Sequence, residues 1–299
     1  MTDIFGRFVK VEQINKGWSE DKKYCVTDAG GVRYLLRISP FARYENRKQL
    51  HDIMRQVSAL GVPMCQPIEF GECEDGVYCI QSWIDGQEVS WLSDGEDVSL
   101  LPSLSENRQY ELGVTAGEIL RKIHTIPASD TQEDWAARYN KKIDRNIKKY
   151  YECGLRFDGD ERVIAYIERN RHLLNNRPQC FQHGDYHVGN MMLENGELKI
   201  IDFGSYDFGD PWEEFSRIVW NAAASPLFAT GQVNGYFGGT PLLEFFKLIA
   251  LYIASSTLSS IYWAIPYGQR EIDVMMRQSQ QVLGWLEGMR SPVPMWYRP

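Results

Sequence analysis

The stretch FQHGDYHVGN, residues 181–190, places two of the chain's five histidines beside an aspartate and an asparagine. His183, Asp185 and His187 are spaced i, i+2, i+4, so an extended segment would turn all three the same way, a pattern that could hold zinc or iron. That reading uses neither Asn190 nor the later Asp202, and only His51, His124 and His172 remain as further imidazoles. A second chemistry uses them all. The following NMMLENGELKIID contains Asn195-Gly196 between two apolar runs, the strongest short hairpin signal, because both turn positions need positive φ. A two-residue loop pairs Glu194 with Glu197, Leu193 with Leu198, Met192 with Lys199 and Met191 with Ile200. Asn190 then falls across from Ile201, within one residue of Asp202. An amide oxygen and a carboxylate are hard ligands of the kind magnesium takes beside water and substrate phosphates. Asp185, five residues before Asn190, is positioned to receive a proton from a substrate hydroxyl. Base, two metal ligands and little else is what phosphoryl transfer requires.

The motif HGDYHVGN followed by IDFG resembles the HGDxxxxN and IDxx signature of the aminoglycoside phosphotransferase family of small-molecule kinases, relatives of choline kinase and protein kinases. GEILRKIHTIP (117–127) and FGDPWEEF (208–215) resemble two further family segments. The resemblance implies an α+β, two-lobed protein-kinase-like fold, with a small β-rich N-lobe and a larger, mainly helical C-lobe. It implies a phosphotransferase using ATP (or GTP) and magnesium, with Asp185 as catalytic base, His183 bracing the catalytic loop, and Asn190 and Asp202 holding the metal. In the first lobe Arg37 stands where kinases carry a phosphate-contacting strand lysine. Its helix partner is expected to be Glu45, with Asp52 as the alternative. Backbone N–H groups around Gly17 and Ser19, in NKGWSED, could cradle phosphate. Gln81 to Trp83 occupy the position of the hinge that bonds the purine.

For the acceptor, Asp207, Glu213 and Glu214 suggest an acidic wall suited to an ammonium-bearing molecule such as an aminoglycoside, set against a helix N-terminus merely enriched in acids. Asp210, before Pro211, reads as an N-cap. Arg138, Lys141, Lys142, Arg145, Lys148 and Lys149 form a basic stripe. It is either a solvated helix face or, bordering the cleft, a preference for anions. Choline-, macrolide- and sugar-type kinases stay open as alternatives, as does a nucleotide-binding pseudokinase without turnover.

The elements that must position these residues follow from composition and periodicity. The 299 residues are 43% apolar and 24% charged, ordinary for a globular protein, and the net charge of -8 argues against nucleic-acid binding. Six scattered cysteines without a CxxC pair suit a reducing compartment. The N-terminus lacks a secretory pattern, and Leu242 to Tyr267 reads as a buried helix rather than a membrane span, so a cytoplasmic enzyme is expected. Strand-like runs over 7–38 and 77–84 flank a helix at 44–60, and the division is expected near residue 84, giving lobes 1–84 and 85–299. Helices are expected at 106–124, 133–152, 160–175, 212–223, 241–262 and 270–289.

Overall fold

A computed structural model describes residues 3–15, 21–93 and 96–299. In chain order its elements begin with β1 (Lys10–Ile14), β2 (Lys22–Thr27), β3 (Arg33–Ser39), α1 (Tyr44–Ala59), β4 (Pro67–Cys73), β5 (Gly76–Ser82) and β6 (Gln87–Glu88). They continue with β7 (Ser90–Ser93), β8 (Glu96–Ser99), α2 (Glu106–Ile123), α3 (Trp135–Glu152), α4 (Asp160–Asn170) and β9 (Cys180–Gln182). The remainder is β10 (Met191–Glu194), β11 (Glu197–Ile200), β12 (Asp207–Gly209), α5 (Ile218–Ala224), α6 (Pro226–Phe237), α7 (Leu243–Ala264) and α8 (Gln269–Trp285). The chain divides into two compact units, Met1–Val89 with Asn190–Gly204, and Ser90–Gly189 with Ser205–Pro299.

The first unit is built on an antiparallel sheet of order β1-β2-β3-β5-β4. Side chains alternate across a strand. Val26, Leu36, Ile38, Tyr78 and Ile80 therefore form one apolar cluster with Ile4 and Cys73. Lys23, Arg37 and Cys79, successive cross-strand partners, occupy the opposite face. On that face α1 buries Leu50, His51, Met54 and Val57, with His51 Nδ1 3.7 Å from Cys79 Sγ. A second sheet of order β11-β10-β6 belongs to the same unit. Its hairpin has the register expected from Asn195-Gly196, from Glu194↔Glu197 to Met191↔Ile200. Both turn residues have positive φ, 53° and 81°.

The second unit is helical. α7 is long and apolar enough by composition to cross a membrane. Here it is core: Ile249, Ala250, Leu251, Tyr252 and Ala254 are all fully buried. The helix expected at 212–223 is a 3-10 segment, Glu213–Arg217, running into α5. α6 was not among the expected helices. Its sequence, PLFATGQVNGYF, carries two glycines that locally read as helix breakers. They serve a close approach instead. A Cβ on Gly231 or Gly235 would come within 2.3 or 2.1 Å of α2 backbone oxygens, and one on Gly113 or Gly117 within 2.1 Å of α6 carbonyls. Two small-xxx-small faces thus let the helix backbones touch, and the tertiary contact overrides the local propensity.

Candidate active site

In the second unit, β9 pairs antiparallel with β12 and delivers His183, Gly184 and Asp185 at its end. The loop is fixed at several atoms. His183 is fully buried, and its Nδ1 lies 3.3 Å from the Asp185 N–H that donates to it. The Gly184 N–H donates to Glu214 Oε1 at 2.9 Å, the Tyr186 hydroxyl to the Ala116 carbonyl at 2.7 Å, and the Val188 N–H to Asn221 Oδ1 at 2.8 Å. Asp185 keeps about a third of its side chain exposed, with His187 Nε2 at 3.4 Å and Arg217 Nε at 3.3 Å. Burial pushes the Asp185 carboxyl up. The His187 hydrogen bond and the charges of His187, Arg217 and His183 outweigh it and hold the group well below the usual carboxylate range.

Two of these residues escaped sequence reasoning. His187 read as a structural histidine, and Arg217, 32 positions beyond Asp185, carried no motif signal. The metal-type arrangement of His183, Asp185 and His187 is not formed: His183 is sealed in the core against Tyr186.

The acidic wall expected from Asp207, Glu213 and Glu214 is corrected by their partners. Asp207 is ion-paired with Arg138, and Glu213 with Lys142 at 2.8 Å. Glu214 is buried beneath the loop that carries Asp185, with His124 Nε2 3.8 Å away. Burial pushes the Glu214 carboxyl up, but His124, His183 and the Gly184 N–H outweigh it and leave it lowered. It is a brace for the loop. The basic stripe of α3 thus spends Arg138 and Lys142 on these acids. Asp210 is not the N-cap expected of it: the segment Glu213–Arg217 starts at Trp212 with no side-chain cap bond, and the Asp210 carboxylate instead accepts from the Trp212 N–H at 2.9 Å, Arg177 at 2.7 Å and the Tyr252 hydroxyl at 2.6 Å.

In the first unit, Arg37 donates to Asp202 Oδ1 at 3.2 and 3.3 Å. This corrects the expected pairing with α1. Glu45 is exposed, and Asp52 is bound by Lys48 at 2.7 Å. The acid that α1 does meet is Asp21, paired with Arg47 at 2.9 Å. Burial opposes the Arg37 charge, and Asp202 more than restores it. Lys23, directly across from Arg37, is only 8% exposed, and burial and the Arg37 charge lower its pKa. A second cation on this face was missed because it lies on β2, where no motif directs attention. Gly17 and Ser19 lie outside the described residues. Gln81 is buried inside β5, paired with Leu35 and Pro67, and its amide donates to Met54 Sδ at 3.5 Å. Trp83 lies just past the strand end, under the Arg33 guanidinium at 5.7 Å.

The first unit's residues fit the groups phosphoryl transfer needs. Asn190 O accepts from the Ile201 N–H at 3.0 Å, closing the hairpin's open end one residue before Asp202. Asp202 has φ +61°, a left-handed conformation that Asp tolerates better than most residues and that is found often at functional sites. A Cβ at Gly204 would come within 3.2 Å of Asp202 Oδ1, so the glycine leaves room at that oxygen. An amide oxygen and a carboxylate oxygen are the hard donors magnesium prefers. Arg37 Nε is a buried donor with no hydrogen-bond partner among the described residues, an atom that a phosphate oxygen would satisfy.

Comparison with known proteins agrees with this architecture. The antiparallel sheet unit and the helical unit form a protein-kinase-like α+β fold. It is similar to a thermostable mutant of aminoglycoside phosphotransferase APH(4)-Ia without ligand, at 17% identity over 94% of this chain and 96% of that one, with TM-score 0.65. The ternary complex of such a mutant with AMP-PNP and hygromycin B gives 16% identity, 96% and 97% coverage, and TM-score 0.67. A choline/ethanolamine kinase family protein from Mesorhizobium loti gives 15%, 96% and 92%, and 0.66. No curated protein sequence matches significantly. Residues 10–246 match the model of the phosphotransferase enzyme family, and the chain belongs to that family. It is a nucleotide-dependent small-molecule kinase.

Proposed function

We propose that the protein transfers the γ-phosphoryl group of ATP to a hydroxyl of a small molecule in a magnesium-dependent reaction, acting in the cytoplasm. Asp185 orients the acceptor hydroxyl and receives its proton. Because the carboxyl is held below its ordinary range, it is a weak base, which suits a loose transition state in which the proton moves late. His187 and Arg217 fix the carboxylate's direction, and Glu214 with His183 fixes the loop that carries it. Asn190 and Asp202 would hold the metal, whose charge would offset that of the nucleotide phosphates. Arg37 and Lys23 meet phosphate oxygens from the sheet, and the Trp83 backbone is the candidate purine contact.

The observation that carries this reading is Asp185, its carboxyl held below the usual range, about a third exposed and held at both carboxylate oxygens, in a chain of a phosphotransferase family. A pseudokinase reading has no comparable support, since such a module has no use for a carboxylate held this way. Magnesium-dependent ADP release, measured with and without a panel of hydroxyl acceptors, tests the proposal. Acceptor-dependent release supports it, and tight nucleotide binding without turnover on any acceptor favours the regulator.

A further inference from the structure

We propose that His124 is a positioning residue for the loop that carries Asp185, acting through Glu214; this rests on the kinase reading above. His124 lies in the segment GEILRKIHTIP, at the C-terminal end of α2, with only 4% of its side chain exposed. Gly117 explains what meets it there. A Cβ on Gly117 would come within 2.5 Å of the Tyr236 backbone nitrogen, so the glycine lets that turn of α6 lie against α2. His124 follows Gly117 by two helical turns and stays on the same face. The Tyr236 ring crosses the imidazole at 71°, and its hydroxyl lies 2.9 Å from His124 Nδ1.

These contacts assign the imidazole tautomer. Burial pushes the Tyr236 hydroxyl up, so it keeps its proton, and His124 is its one hydrogen-bond partner among the described residues. Nδ1 is therefore the acceptor, and Nε2 carries the proton. Nε2 is buried without a hydrogen-bond partner among the described residues and faces Glu214 Oε2 at 3.8 Å. The opposite tautomer would aim a lone pair at a carboxylate and leave the Tyr236 proton unsatisfied. At that separation the N–H acts on Glu214 by charge and not through a formed hydrogen bond. The same carboxylate accepts the Gly184 N–H at 2.9 and 3.2 Å with its two oxygens. Gly184 is pressed from another side, where a Cβ would come within 2.0 Å of the Ser205 carbonyl oxygen. Asp185 is the next residue. One chain of polar contacts thus runs from α6 through Tyr236, His124 and Glu214 to the backbone that sets the Asp185 carboxylate. Without the His124 N–H the buried Glu214 loses a compensating group, and its hold on Gly184 weakens.

Two substitutions in the full chain separate the two ring nitrogens. An Asn side chain ends near the place of Nδ1, and a Gln side chain near that of Nε2. His124→Asn therefore keeps an acceptor for Tyr236 but loses the donor toward Glu214, whereas His124→Gln keeps that donor. Hydrogen exchange of the Gly184 amide, followed by NMR, should speed up about tenfold or more in His124→Asn and stay within about threefold of wild type in His124→Gln. On an acceptor that gives turnover, kcat should fall about tenfold or more in His124→Asn, with the KM for ATP unchanged, and be restored in His124→Gln. Nitrogen-15 NMR of the wild-type imidazole, which needs no variant to fold, should place the proton on Nε2. A proton on Nδ1 overturns this inference and leaves the kinase reading standing. So does equal Gly184 exchange, or equal kcat, in the two variants. Turnover on no acceptor overturns the kinase reading, and the Gly184 exchange rates then still decide whether His124 holds the loop.

Discussion

Replacing Asp185 by Ala removes the group proposed to receive the proton but no group assigned to the nucleotide. Turnover should fall by roughly 10²–10⁴-fold, while calorimetric ADP affinity stays at the wild-type value. Arg217→Met tests the electrostatics of the same carboxyl. In the wild type its pKa is depressed, so the ionised form is complete above the ordinary carboxylate range and is lost only as pH falls through the lower, folded value. Without the Arg217 charge that value rises, and the acid limb of the kcat profile should move to higher pH. On the sheet, Lys23→Met and Arg37→Ala should each raise the KM for ATP about tenfold or more, given roughly 1.5–3 kcal/mol for a charge-assisted hydrogen bond. An unchanged KM in Lys23→Met would remove that lysine from the phosphate site. The Asp185 loop was legible because its residues are contiguous. The partners of Arg37 and of the acids after Asp202 were not, because ion pairs such as Arg138 with Asp207 and Lys142 with Glu213 join positions far apart in sequence.

At the scale of elements, the β10–β11 hairpin was readable to the residue, because Asn195-Gly196 allows one turn geometry and the turn sets the register. α6 was unreadable for the opposite reason. Its glycines are meaningful only beside Gly113 and Gly117 of α2, which local sequence does not reveal. The pair is also tied to the segment that carries Asp185. The Tyr186 hydroxyl bonds the α2 carbonyl of Ala116, and Gln232 of α6 accepts from Asn221, which in turn holds the Val188 N–H. Gly231→Ala should therefore cost about 1–3 kcal/mol of stability by overpacking, seen as a lowered Tm, and should lower kcat as well. A variant with reduced Tm but wild-type kcat would uncouple the helix pair from the loop.

For the whole molecule, the six cysteines are free thiols. Burial pushes Cys65 up to about 12 and Cys79 up to about 11, so both should resist a maleimide at neutral pH in the folded chain and react on unfolding. Mass spectrometry of the labelled protein checks this. Chelating the metal should abolish phosphoryl transfer and leave the Tm of the nucleotide-free chain unchanged. The reason lies in the Arg37–Asp202 contact. With no nucleotide present, the guanidinium already holds Asp202 Oδ1, so a bare divalent ion binding through that oxygen competes with a cation. A phosphate chain bringing its own magnesium gives the guanidinium a new anion as it frees the old one. The two ingredients should accordingly arrive together as one complex, and raising free magnesium ahead of ATP should neither speed the first turnover nor trap the enzyme.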